Sequence, residues 1–270
     1  MRKNKFLITY FVSIFLLIVS CDEAIDYYYG TPMQPIFMGD DQYERKLNIF
    51  GIIQPDQKSF IHVLQTTPTK GDTITNLYIE NANVEVAEYD TIGQILKSNF
   101  LFSYPDSGSI SMIPQYSCKN IKPQAHKKYT FNCTFGTFPV VYAETVVPEV
   151  PQLVANSLQV STKRVSFKIS RDTLAYMYDV YLISDNNFYS KRIVASDSSE
   201  LSVELNPSNS SNWKILKIFA YDKNLALYFS TSSNSFYSFN TYRPPITTLT
   251  GGFGCIGSIN CNFFELVISN

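Results

Sequence analysis

The chain has 270 residues, of which 45% are hydrophobic, 15% aromatic and 17% charged, and its formal net charge is −1. This balance excludes the basic patch or stripe that a nucleic-acid binder needs, so we expect no nucleic-acid partner. Tyr and Phe number 19 and 20 against a single Trp. A chain rich in aromatic and β-branched residues favours strands over helices.

The N-terminal segment has the pattern of an export signal. Three basic residues precede an almost unbroken apolar run at residues 6–19, which suits a signal peptide and is short for a membrane span. Residues 17–21, Leu-Ile-Val-Ser-Cys, resemble the bacterial lipobox. We therefore predict a signal peptide over residues 1–20 and a lipidated Cys21 at the mature N-terminus. An uncleaved anchor and an ordinary secretory signal are the alternatives.

A tether is predicted between this lipid and the folded body. Residues 21–44 contain two prolines and several acidic residues, and they lack the hydrophobic periodicity of a helix or strand. Such a segment is typical of a linker.

Strand patterns separated by turn signals begin at Arg45. In the first half of the chain the predicted strands cover residues 46–53, 59–65, 83–89, 97–104, 128–135 and 140–147. Pro148 and Pro151 then interrupt the pattern, because proline lacks the N–H that a sheet interior requires. We predict a linker at residues 148–151. The preceding residues 45–147 are expected to form a β-sandwich of immunoglobulin or transthyretin type.

The second half of the chain repeats this organisation. Its predicted strands cover residues 158–161, 165–169, 177–184, 189–195, 201–205, 213–221 and 263–269. One short helix is predicted over residues 222–229, with Asp222 as its N-cap. The fold class is therefore mainly β, with residues 152–270 forming a second sandwich of fibronectin type III type.

Four cysteines follow the one at position 21. An even number in an exported protein indicates disulfides, and four cysteines allow three connectivities. We favour Cys118–Cys133 and Cys255–Cys261, because each pair is local, and residues 256–260 would form the loop of a hairpin. A zinc site is the alternative, but the chain has no Cys-x-x-Cys and neither histidine lies near a pair.

The order of these features resembles a known family. The resemblance depends on short motifs. In chain order they are Leu-Asn-Ile-Phe-Gly at 47–51, Asn-Val-Glu-Val at 83–86, Lys-Tyr-Thr at 128–130, Val-Val-Pro-Glu-Val-Pro at 146–151, Tyr-Asp-Lys-Asn-Leu-Ala-Leu-Tyr at 221–228 and the glycine segment at 249–257. Together they resemble the Bacteroidota lipoprotein family named only as domain of unknown function 4249. The resemblance implies two mainly β domains and outer-membrane attachment, and it supplies no reaction.

Candidate catalytic and metal-binding residues are few. His62 lies in an alternating strand pattern and His126 in a lysine-rich turn, and neither has a local partner for acid–base work. No Gly-x-Ser-x-Gly motif occurs. Residues 184–187 and 196–198 are short polar segments that fit turns better than calcium loops. The glycine segment 251–257 lacks the following helix of a phosphate-binding loop. We predict no catalytic, metal or cofactor-binding residue.

Exposed aromatic residues are the better binding candidates. Tyr27, Tyr28 and Tyr29 form one group, and residues 236–242 contain four more aromatic side chains. Such rings stack on sugars or fill partner pockets, whereas core packing and membrane contact are the plainer interpretations. For a hydrolase acting on glycans or peptides, the candidate carboxylates would be Glu85, Glu88 and Asp90.

These observations predict a non-catalytic lipid-anchored protein of the outer membrane. The family that this sequence resembles belongs to the Bacteroidota. By the standard of lipoproteins from that phylum, the acidic Asp22 and Glu23 after the lipidated cysteine resemble a surface-export signal. Members of the family that this sequence resembles look like companions of TonB-dependent outer-membrane receptors, so such a receptor is the expected partner. Surface adhesion or scaffolding is the alternative function.

Overall fold

The computed structural model describes residues 45–55, 58–66, 78–89, 95–104, 114–118, 120–208, 212–232 and 246–266. Within these ranges, no helix combines the length and the apolar character that crossing a membrane would require. The predicted signal peptide, Cys21 and the tether lie outside the described residues.

Strands dominate the described chain. They are β1 (Leu47–Ile53), β2 (Phe60–Gln65), β3 (Asn83–Tyr89), β4 (Ile95–Ser103), β5 (Gln115–Ser117), β6 (Lys128–Thr134), β7 (Val141–Val146), β8 (Gln152–Leu153), β9 (Gln159–Val160), β10 (Val165–Ser170), β11 (Met177–Ile183), β12 (Phe188–Val194), β13 (Glu200–Leu205), β14 (Ile215–Tyr221) and β15 (Phe253–Glu265). A single helix of the described residues, α1 (Lys223–Ser232), lies between β14 and β15. The mainly β fold class predicted from the sequence is confirmed.

The first body consists of β1 to β7 and the first half of β15. Its strands follow the order β15-β1-β2-β5-β4-β3-β6-β7, and β4 joins the two layers because it pairs with both β5 and β3. Tyr142 of β7 and Thr250 exchange backbone hydrogen bonds of 3.0 and 2.9 Å, which links the other end of this order back to its beginning. The two layers of this sandwich are therefore joined at both edges.

Alternating side chains fill the core of this body. Every second residue of a strand points to the same face, so the apolar positions of facing strands meet in the middle. The largest buried members are Leu47, Ile49, Ile53, Ile61, Tyr116, Tyr129 and Phe131. Leu249 and Ile256 belong to the same core, although they lie near the C-terminus of the chain.

The second body is a sandwich of two sheets. One sheet has the order β13-β10-β8, with β9 also paired to β10, and the other has the order β12-β11-β14-β15. Their facing residues form a separate core around Trp213, Tyr178 and Leu182. β8 and β9 pair with opposite ends of β10 on the side away from β13, so they share one strand position. Three strand positions thus face four, as in the fibronectin type III-like sandwich expected for this half. The segment 148–151 separates the two cores along the chain.

Strand β15 differs most from its prediction. Residues 253–258 pair in parallel with β1, and residues 259–265 pair antiparallel with β14. The expected loop at residues 256–260 is thus the middle of a 13-residue strand. The predicted strand 263–269 begins ten residues too late, and its last three residues lie outside the described chain.

The favoured Cys255–Cys261 disulfide is therefore wrong. Six residues of extended strand separate the two Cα atoms by roughly 20 Å, whereas a disulfide requires about 4.4–6.8 Å. The other favoured disulfide, Cys118–Cys133, is not formed either, because both cysteines are unbonded thiols that pack on the first core. Burial raises the pKa of the Cys133 thiol to about 12, which keeps it protonated at neutral pH.

Glycines in β15 serve close contacts rather than turns. Gly254 has a φ of +105°, and a Cβ added there would lie 2.0 Å from the backbone oxygen of Ile49. Gly257 leaves room for α1, since its Cβ would lie 2.5 Å from Leu225. Residues 253–257 of the glycine segment are therefore a strand that packs closely against its neighbours.

Replacing Gly254 with alanine should lower the free energy of unfolding by about 3 kcal/mol or more. A positive φ costs a non-glycine residue roughly 1–2 kcal/mol, and the clash with β1 adds to this cost. Gly136→Ala is the control, because Gly136 also has a positive φ but nothing lies within 4 Å of its Cβ position. Urea unfolding of both variants should show the larger loss for Gly254→Ala, and equal losses would contradict the close contact.

Candidate functional site

The joint between the two bodies holds a group of buried polar side chains that includes Thr145, Asp222, Ser258 and Asn260. Ser258, Asn260 and Asn262 alternate along β15, so they point to the same side of the strand. Their side chains donate to one carbonyl at the end of β7 and two of the connecting segment: Ser258 Oγ to Val146 O at 2.8 Å, Asn260 Nδ2 to Pro148 O at 3.0 Å, and Asn262 Nδ2 to Pro151 O at 3.0 Å. We call this set the carbonyl clasp.

The clasp replaces hydrogen bonds that a normal strand pair would supply. Pro148 and Pro151 have no N–H, so the connector cannot exchange the paired bonds of an antiparallel ladder there. Side-chain amides still reach the carbonyls that the prolines retain. The proline linker predicted at residues 148–151 is therefore held along its length by β15.

Asp222 anchors helix α1 at the same joint. Its Oδ1 accepts the N–H of Leu225 at 2.9 Å, which is the N-cap contact expected from the sequence. Its Oδ2 lies 2.6 Å from Thr145 Oγ1, and that hydroxyl lies 2.8 Å from Ser258 Oγ. Helix, β7 and β15 thus meet at one carboxyl group.

Burial dominates the charge state of this carboxyl group. Loss of solvent raises the pKa of Asp222 to about 6, although hydrogen bonds from Thr145 and from backbone N–H groups act in the opposite direction. Asn224 is the second residue of α1 and donates to Glu144 O at 2.6 Å and Ile256 O at 2.9 Å. The start of α1, which directly follows β14 of the second body, is consequently bound to the first body by side-chain hydrogen bonds.

A second polar group lies on the outer face of the second body. Arg192 of β12 forms two hydrogen bonds of 2.8 and 2.7 Å with the carboxylate of Asp179, and Tyr221 donates to the same carboxylate at 3.1 Å. The Arg192 guanidinium also lies over the Phe229 ring of α1, 5.3 Å from its centroid. Burial and the nearby Asp179 charge raise the pKa of Tyr221, so its phenol stays protonated.

The two histidines have structural surroundings. His62 is buried in β2, its Nδ1 lies 2.9 Å from Pro114 O, and burial lowers its pKa. His126 is in a turn with a φ of +63°, and its Nε2 lies 3.3 Å from Glu149 Oε2 and 3.8 Å from Asp172 Oδ1. His126 therefore joins the first body to the connector and to the turn after β10.

The candidate carboxylates of a hydrolase are not brought together. Glu85 pairs with Lys97 at 2.9 Å on the outer face of β3. Glu88 is three positions further, on the opposite face, and accepts from the Tyr129 hydroxyl at 2.9 Å. Asp90 lies outside the described residues, as do Tyr27, Tyr28, Tyr29 and the aromatic residues 236–242.

The polar segments weighed as calcium loops are turns. The Ser184 hydroxyl bonds the backbone of Asn187 at the end of the β11–β12 hairpin, and Asp185 pairs with Lys214 at 2.6 Å. The Ser198 hydroxyl donates to Glu200 O at 2.8 Å. No three His, Cys, Asp or Glu side chains of the described ranges are grouped so that they would hold a metal ion.

Comparison with known proteins adds little to this geometry. No family model matches the chain. No curated protein matches it. A solved structure of the chicken interferon gamma receptor alpha chain matches 66% of this chain and 88% of that chain, with 10% sequence identity and a TM-score of 0.21. A TM-score this low does not establish a shared fold, so the fold assignment depends on the strand pairing described above.

Removing the central amide of the clasp should destabilise the protein. Asn260→Ala leaves the Pro148 carbonyl buried without its donor, which costs about 1–3 kcal/mol of unfolding free energy. Asn132→Ala is the matched control, since Asn132 is exposed on β6 and should change stability by less than about 0.5 kcal/mol. Urea unfolding measures both, and an unchanged midpoint for Asn260→Ala would contradict the role of the clasp.

Asp222 should make stability fall as pH rises through about 6. Because its pKa is raised from 3.8 to about 6 on folding, the folded state holds the proton more tightly, and this stabilisation is complete below pH 3.8. Its loss near neutral pH amounts to roughly 3 kcal/mol or less. Asp222→Asn keeps an N-cap side chain and removes the ionisation.

The check is the difference in unfolding free energy between wild type and Asp222→Asn at pH 4.5 and pH 7.5. Wild type should lose stability relative to the variant over this interval. A constant difference would mean that Asp222 does not change its protonation in this pH range.

Proposed function

We propose that this protein is a non-catalytic, lipid-anchored component of the cell envelope, held at the outer membrane and exposed at its surface. The observation that carries the proposal is the N-terminal pattern of residues 1–21, a basic start, an apolar run and a lipobox-like end at Cys21. Several acyl chains on one cysteine provide a stable anchor, because each buried methylene contributes roughly 0.8 kcal/mol.

The architecture of the described residues suits this position. Two bodies that share β15 and the carbonyl clasp form a support that keeps its shape when one end is tethered. Three buried titratable groups with shifted pKa values, Asp222, Tyr221 and His62, each have partners inside the fold. These contacts account for them without a reaction.

The partner class we favour is a TonB-dependent outer-membrane receptor, for which the protein would be a surface binding or accessory component. This choice depends on the resemblance of the sequence to lipoproteins of that setting, and it is an analogy at the level of the family. Surface adhesion or scaffolding is the second candidate, and the joined bodies favour it because such a support transmits force. A hydrolase of glycans or peptides is the weakest candidate, since Glu85 and Glu88 occupy opposite faces of β3.

Lipidation is the first test. Growth with an alkyne-labelled fatty acid should label the wild-type chain and leave Cys21→Ala unlabelled, and the variant should leave the membrane fraction. Cys118→Ala is the control, because that cysteine lies on the first core and should not affect labelling. Equal labelling of wild type and Cys21→Ala would overturn the anchor.

Crosslinking in native membranes tests the partner. Capture of the wild-type chain should recover a TonB-dependent receptor, and the recovery should fall at least tenfold for Cys21→Ala. Recovery of surface polymers alone, together with a loss of attachment on deletion, would instead favour adhesion.

A further inference from the structure

Strand β12 is an open edge of the large sheet. It pairs with β11 along all seven of its residues, and no strand of the described ranges pairs with its other side. An edge strand presents unpaired backbone groups to any strand that approaches it. Most native edges are blocked by proline, bulges or charged side chains, and β12 contains no proline.

The ladder with β11 determines which backbone groups point outward. Hydrogen bonds from Ala195 N to Tyr176 O and from Ser184 N to Asn187 O fix the bonded pairs at both ends of the hairpin. Bonded pairs recur at every second residue of an antiparallel ladder. The N–H and C=O groups of Phe188, Ser190, Arg192 and Val194 therefore face the open edge.

The outward residues include two large apolar side chains in solvent. Phe188 is 75% exposed and Val194 is 71% exposed, one at each end of β12. The edge of the other sheet differs, since β13 alternates buried Leu and Val with Glu200 and Glu204, which pair with Lys168 and Arg164. The exposed side chains of β13 are therefore all polar and offer a second copy no apolar contact, whereas the ends of β12 do.

We propose that β12 pairs antiparallel with β12 of a second copy of this chain, about a two-fold axis at Lys191. In this register Phe188 lies opposite Val194 of the other copy, and Ser190 lies opposite Arg192. All four outward residues then exchange backbone hydrogen bonds. The two Arg192 side chains do not face each other, and each keeps its Asp179 partner.

Other registers that also place outward-facing residues of the two strands opposite each other fit less well. A two-fold axis at Ser190 places Phe188 opposite Arg192, and an axis at Arg192 places the two guanidinium groups together. Only the axis at Lys191 brings both exposed apolar residues into cross-strand contact and uses every outward backbone group. Apolar cross-strand pairs stabilise a sheet, and like charges directly opposite destabilise it.

Repulsion between the two Lys191 side chains opposes the pairing of the two β12 strands. The two lysines lie opposite each other at the axis, with Cα atoms about 4.5 Å apart in a pair that is not hydrogen-bonded. Each Nζ donates to Glu204 O of its own chain at 2.9 Å, which draws the charge away from the axis. The dimer should therefore strengthen with salt, since screening weakens the repulsion that remains.

The association should be weak. A seven-residue edge buries less than the roughly 800 Å² per partner that stable complexes use, so we expect a dissociation constant on the order of 100 µM for the detergent-solubilised chain. Confinement to a membrane would raise the effective concentration. The proposal does not depend on the identity of any envelope partner.

Sedimentation velocity of the full chain in detergent, at concentrations from about 10 µM to 1 mM, tests the dimer. Wild type should show a reversible monomer–dimer equilibrium. Ser190→Pro removes an outward N–H and leaves the ladder to β11 intact, so it should weaken association at least tenfold. Val194→Asp should do the same through its side chain, and circular dichroism establishes that each variant is folded.

Phe263→Asp is the matched control. Phe263 is 66% exposed on the same sheet face but lies on β15, away from the edge, so its replacement should leave the equilibrium unchanged. Loss of the dimer in Phe263→Asp alone would mean that the faces stack and would overturn edge pairing. A monomer at every concentration would also overturn it.

A cysteine at the axis tests the register. Lys191→Cys should form an intermolecular disulfide on mild oxidation, because residues at the axis face their own copies. Ser202→Cys on β13 is exposed and should crosslink no more than wild type. Equal crosslinking of the two variants would contradict the axis at Lys191.

Discussion

The structure depends on one strand that is hydrogen-bonded in both bodies. β15 supplies an edge to the first core through β1 and completes the second sandwich through β14. Around the junction of these two pairings, its Ser258, Asn260 and Asn262 side chains hold the end of β7 and the connector. Because a strand is stiff along its length, the pairing in one body orients the other. Few multi-domain chains place their linker in such an arrangement, since most linkers are exposed segments crossed by few contacts.

Local features of this fold could be predicted from the sequence. The N-cap at Asp222 and the alternating pattern of β13 involve only residues within one turn or one strand, and both appear where expected. The helix extends to Ser232, three residues beyond its predicted end. Short strands such as β5 and β8 have no pattern of their own, because two or three residues cannot show a period.

The joint and β15 could not be predicted from the sequence, and the reason is physical. The loop predicted at residues 256–260 followed from a local disulfide, whereas Gly254 and Gly257 permit close packing on a strand and a helix that are distant in sequence. The alternation of Ser258, Asn260 and Asn262 is present in the sequence. Its partners are carbonyls about 110 residues earlier, and no local pattern identifies them.

The shared strand has a consequence for how the chain reaches its folded state. Neither core is complete until residues 249–266 are present, because they close the first sandwich and form one strand of the second. A chain that emerges from its N-terminus onward must therefore keep both halves incomplete until residues 249–266 have been made. Completion of the two cores is thus tied to the same late segment, so neither body reaches its final packing without the other's closing strand.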